Sequence, residues 1–189
     1  MWVQAIGWRL VGYHMAELAT ALWVAALALA GKVAFDAFQR FEVRRSVASA
    51  LAGEIHTYLH FLDPPVLGPA YRAKAELPRE DRISWLKSLP VLPSSHPVFD
   101  KVADKIGSLP AGMAGGVARV YNVVTGGRLL LTSLSTPGFI EAPDHLQIER
   151  IETIWLLIDK QTKVFTDTIE QLEAVSQQSF LCYLCGCKP

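Results

Sequence analysis

The chain has 189 residues, 51% hydrophobic and 19% charged, which supports a sizeable core and excludes disorder as its main state. Eighteen basic residues balance eighteen acidic ones, so the basic excess of a general nucleic-acid binder is missing and no nucleic-acid partner is expected. The charge is unevenly placed: Lys32 to Arg45 holds four basic residues against two acidic, and Glu141 to Glu173 eight acidic against three basic.

The first feature along the chain is an apolar run from Leu18 to Gly31, bounded by Glu17 and Lys32. Fourteen residues alone fit a buried helix of a soluble core or a signal-peptide core better than a span, but Lys32 can snorkel while Val33, Ala34 and Phe35 continue the apolar surface. Upstream, Leu10, Val11, Gly12, Tyr13 and Met15 extend it, with His14 and Glu17 as the costly members. Leu10 to Gly31 then measures about 33 Å at ~1.5 Å per residue, enough to cross a hydrocarbon core. Trp2, Trp8 and Tyr13 are expected near one interface.

Ala28-Leu29-Ala30 has the small-x-small form of a signal-cleavage site, the basis of an alternative in which a helical domain is exported. Glu17 stands where a positive n-region belongs, however, and Lys32, Arg40, Arg44 and Arg45 after the run resist translocation. The anchor is therefore the leading expectation, with a short N-terminus outside and the bulk of the chain in the cytoplasm.

No proline occurs before Pro64, and Val47, Leu51, Ile55, Leu59 and Leu62 recur at helical steps, so the span is expected to continue as one cytoplasmic helix. Residues 63–95 carry six prolines and read as an irregular connection holding one short helix over Pro78 to Leu89. Ser95 is the expected cap of a helix with Pro97 in its first turn, followed by Val98, Val102 and Ile106 and ending near Gly107. Pro110 opens a further helix that Gly126-Gly127 is expected to kink and Pro137-Gly138 to end. The last long helix starts near Pro143, with Asp144 in its first turn and a stripe of Ile151, Ile154, Trp155, Ile158, Phe165, Ile169, Leu172 and Val175. With no two-residue alternation, the fold class is all-α: an N-terminal transmembrane helix continuing into a small cytoplasmic helical bundle. The organisation is a segment and anchor over 1–35, a helical domain over 36–178 and a cysteine-containing tail over 179–189.

FEVRRSVASALAGEI (Phe41 to Ile55) and HPVFDKVADKIGSLP (His96 to Pro110) resemble a loose group of uncharacterised bacterial proteins with one N-terminal span. In that group a basic stretch leads into an Ala- and Leu-rich helix ending in Glu-Ile, and a Pro-Val-Phe start precedes an Asp-Lys-Ile-Gly turn. The resemblance implies the anchor and a helical domain and carries no activity. The thinner basic run and the cysteine tail here depart from it.

Three patterns have the residue types for chemistry. Cys182, Cys185 and Cys187 form C-x-x-C-x-C, whose thiolates suit one zinc or copper(I) ion or a disulfide. A closed zinc site wants a fourth ligand, and Phe180, Leu181, Tyr183 and Leu184 equally make a greasy tail that packs on the domain; no cofactor is therefore the default. His56 and His60 share a helix face at i, i+4, but Thr57 stands where a zincin motif needs Glu. The glycines at 112, 115, 116, 126 and 127 lack a following Gly-Lys-Ser/Thr and suit close helix packing instead. What remains is a non-enzymatic interaction or assembly module at the cytoplasmic face of a bacterial inner membrane, with the lipid bilayer and another protein or a second copy as partners. The alternative from another class is a thiol metal-binding or redox protein.

Overall fold

The computed structural model describes residues 2–62, 64–89 and 95–187. Among these the chain is all-α, with no strand. In order come α1 (Trp2–Leu62), α2 (Pro64–Ala75), α3 (Arg79–Ser88) and α4 (Pro97–Val102), which tightens into a 3-10 helix (Ala103–Ser108). Then follow α5 (Met113–Leu134), α6 (Pro137–Ile140), α7 (Asp144–Gln177) and α8 (Phe180–Leu184). The side chains of Trp2, Trp8 and Tyr13, expected at an interface, and of Ile158 lie outside what the structure describes.

Helix α1 is 61 residues long, about 90 Å at ~1.5 Å per residue. Nothing in its sequence interrupts it, because the first proline follows its last residue. Its C-terminal half joins the bundle through one stripe, Phe41, Val47, Ala48, Leu51, Ala52 and Ile55, all buried. Helix α7 is the element against which the bundle assembles, touching α1, α2 and α5. Its two ends serve two apolar clusters. Phe165, Ile169, Leu172 and Val175 meet the α1 stripe and Met113, Val117, Val120 and Tyr121 of α5. Ile151, Ile154 and Trp155 meet Tyr71 and Ala75 of α2, Leu86 of α3 and Leu134 of α5. Since Ser176 lies at Arg45 while the start of α7 lies among α2 and α3, α7 runs antiparallel to the C-terminal half of α1.

Four local expectations need correction. The connection over 63–95 is mostly helical: Pro64 and Pro65 begin α2 rather than end order, since the first turn has no use for their missing N–H groups. The cap of α4 is His96 rather than Ser95. Helix α5 starts at Met113, three residues after Pro110, behind Gly112 at φ +89°, and passes Gly126-Gly127 without a break. Close packing through small residues holds only at Gly116, where a Cβ would stand 3.4 Å from Thr168 Oγ1; at Gly112, Gly115, Gly126 and Gly127 it would meet nothing within 4 Å.

Candidate functional site

Among the described residues, the stretch of α1 from Leu18 to Phe35 presents an uncovered apolar surface. Leu22, Trp23, Val24, Leu27, Leu29, Val33 and Phe35 are each 59–71% exposed, on every side of the helix. A soluble domain seldom leaves an apolar patch beyond a few hundred Å² uncovered, and an all-round apolar helix belongs in a core or a membrane. Between Thr20 and His60 runs an apolar window with mean hydropathy 1.6 in which no residue is buried. This helix is long and apolar enough to cross a membrane.

Where α1 enters the bundle, its side chains turn from apolar display to polar work. The buried Glu54 carboxylate reaches across to the start of α4, accepting from Val98 N and Phe99 N, each at 3.0 Å. The same carboxylate accepts the Tyr121 hydroxyl of α5. Helix α4 has no side-chain cap of its own, so a carboxylate from another helix satisfies its orphan N–H groups and meets its positive dipole end. Beside it, His96 is held at both ring nitrogens, Nδ1 2.9 Å from the Tyr58 hydroxyl and Nε2 3.1 Å from Thr125 Oγ1. Burial, then the Glu54 hydrogen bond and charge, push the Tyr121 phenol above its ordinary value. Phe99 packs on Tyr121 with ring centroids 4.0 Å apart. The cluster joins three helices and spends its donors and acceptors internally.

A second polar group sits at the other end of the bundle. Arg82 is 2% exposed; its Nε donates to Gln147 Oε1 at 2.9 Å and its Nη1 to the Leu77 carbonyl at 3.0 Å. Asp144 stands 3.0 Å from Arg82 Nη2 and also accepts from Arg79. That Arg79 hydrogen bond first, with both guanidinium charges, holds the Asp144 carboxyl below the usual carboxylate range. Gln147, fully buried, donates to the Phe139 and Ile140 carbonyls. The network ties α3, α6 and the start of α7 together.

The C-terminal tail folds back onto α1. Phe180 lies 5.3 Å from Phe38 and 5.4 Å from Phe41, ring to ring, and Arg44 sits over the Tyr183 ring at 5.4 Å. Ser179 caps α8 through Cys182 N. Gly186 at φ +69° closes it, with Cys187 N donating to Cys182 O and Gly186 N to Tyr183 O, the paired bonds of a Schellman motif. That motif brings the first and last cysteines together: the Cys182 thiol, hydrogen-bonded to Cys187, is the main cause raising the Cys187 thiol above its ordinary value. Cys185 is exposed. Among the described residues no three His, Cys, Asp or Glu side chains gather as metal ligands would. His56 and His60 both face solvent.

Sequence reasoning singled out the cysteines and His56/His60 but missed Glu54, His96 and Arg82 as network centres. The one available signal was a charged residue on or beside an apolar stripe, as Glu54 is next to Ile55. No family model, no curated protein and no solved structure matches the chain.

Proposed function

We propose that the protein is a single-span membrane anchor that holds a small helical bundle at the cytoplasmic face of a bacterial inner membrane, as a non-enzymatic interaction or assembly module. The observation that carries this reading is the apolar stretch of α1 from Leu18 to Phe35, exposed on all sides while the C-terminal half of the same helix is packed into a core. Bilayer is the solvent in which that stretch ceases to be a liability. Lys32, Arg40, Arg44 and Arg45, on the bundle side of the apolar run, support an N-out/C-in orientation. The module role is supported by the polar clusters, whose groups serve to cap and tie helices. Fractionation of a C-terminally tagged chain tests the anchor: full-length protein should stay with membranes through an alkaline wash, and the tag should resist protease until the inner membrane is opened. A shortened, exported chain or a full-length soluble one overturns the reading.

A thiol-based second reading rests on the turn that joins Cys187 N to Cys182 O at 3.0 Å. Metal analysis of the purified protein with and without its cysteines decides it; stoichiometric zinc or copper that vanishes with Cys182, Cys185 and Cys187 is the result in its favour.

A further inference from the structure

We propose that α8 is a second membrane contact, seated in the headgroup layer of the leaflet from which α1 emerges; the proposal rests on α1 being the span. The position of α8 comes from three contacts. Arg45 Nε donates to Ser176 O at 2.7 Å and Arg44 Nη2 to Gln178 Oε1 at 3.3 Å, so α7 ends beside Arg44-Arg45. Beyond that point the chain continues toward the apolar half of α1, setting Phe180 against Phe38 and Phe41. Phe38 is one turn, about 4.5 Å of rise, from Phe35, and is itself still 45% exposed. The tail thus occupies the membrane-proximal end of the bundle.

The outward face of α8 suits that place. Leu181 is 74% exposed and Leu184 54%, and Leu181 is the most exposed large hydrophobic side chain among the described residues. They extend the apolar belt formed by Val33, Phe35 and Phe38 on α1, itself 45–61% exposed. Continuity with that belt is what selects lipid as the occupant over a separate protein. The segment 179–187 contains no acidic residue to be repelled by anionic headgroups. Beside it opens a cleft of about 470 Å³ lined by Arg40, Arg44, Gln39, Ser108, Tyr183 and Asp36. Arg40, exposed in this cleft, suits lipid phosphate, which Arg binds as a planar fork, while Arg44 is engaged by Gln178 and the Tyr183 ring. The tail is held in place: Gln178 Nε2 donates to Cys187 O at 2.9 Å, and the Schellman turn fixes its end.

Cys185 lies one turn after Leu181 on the same face and is exposed, so it reports the depth of this face directly. The full chain carrying Cys182→Ser and Cys187→Ser, with a nitroxide on Cys185, is reconstituted into phosphatidylcholine–phosphatidylglycerol vesicles. Its collisions with oxygen and with a water-soluble nickel chelate are compared with those of labels at Leu27→Cys and Asp159→Cys in a cysteine-free chain. The expected result is an oxygen-to-nickel ratio at 185 several-fold above that at 159 and below that at 27. A ratio at 185 equal to that at 159, while 27 reads hydrocarbon, overturns the proposal and leaves the span intact. Shielding at 185 from both reagents also overturns it, since protein then covers α8. An aqueous reading at 27 removes the span itself, and this contact with it.

Discussion

Glu54 and Arg82 each satisfy several groups at once, so the cost of losing either is set by what it leaves behind. Glu54→Ala strands two N–H groups of α4 and the Tyr121 hydroxyl. Stranded buried donors cost about 1–3 kcal/mol each before relaxation; a net loss of about 3 kcal/mol is expected in thermal or urea unfolding in detergent, with Glu54→Gln costing roughly half. Arg82→Ala should cost a similar ~3 kcal/mol, and Arg82→Lys should recover little, because one ammonium cannot address Gln147, Leu77 and Asp144 from a fixed fork. Equal stability of Arg82→Lys and wild type would show that the network contributes nothing beyond charge. Tyr121 adds a pH signature. Its phenol is raised above the ordinary 10.0, so the fold prefers the neutral form. The stability this contributes is complete below the unfolded value and is lost as pH rises above about 10. An alkaline unfolding series should therefore fall more steeply for wild type than for Tyr121→Phe.

Elements were legible in the sequence where one periodic face met one core. The stripe of α7 and the Val47–Ile55 face of α1 needed only counting by threes and fours, and the helix–core pairing followed. The misses share a different cause. Pro64-Pro65 reads as a stop after α1 and is equally the start of α2, since local sequence does not say on which side of a boundary a proline belongs. Glu54 caps a helix that begins more than forty residues later, a distance over which no motif operates. Arg82 looked like one cation in a mixed surface stretch, and only Gln147 and Asp144, brought from far along the chain, make it a buried residue. The glycines of α5 are the sharpest case, because sequence ranks them alike and backbone geometry separates them. Gly126→Ala and Gly127→Ala enter open space in a helix interior and should each stabilise by about 0.5–1 kcal/mol. Gly112→Ala should destabilise by about 1 kcal/mol, since its φ of +89° suits only glycine. Melting temperatures of the three variants, moving in opposite directions, check this together.

On the proposed reading one continuous helix serves two solvents, and that division makes the whole molecule testable with two single substitutions. Within Leu18 to Gly31, the Leu and Val residues at 18, 22, 24, 27 and 29 favour insertion by roughly 0.3–0.6 kcal/mol each, about 2 kcal/mol together. An Arg at Leu22, near the middle of Leu10 to Gly31, opposes insertion by about 3 kcal/mol, so Leu22→Arg alone is enough to reverse the balance. Leu51, 29 residues further along the same helix, is fully buried against α5 and α7. Leu51→Ala there removes core volume and should cost about 2–5 kcal/mol of bundle stability. The two variants are expected to separate cleanly. Leu22→Arg should shift the chain from the washed membrane to the soluble or aggregated fraction, with bundle unfolding in detergent unchanged because Leu22 is exposed and outside both core clusters. Leu51→Ala should leave the chain in the membrane and lower its unfolding midpoint. A crossed result, with Leu22→Arg destabilising the bundle, would mean that the apolar stretch of α1 packs on protein, and the division of the helix at Phe38–Phe41 would be the wrong one.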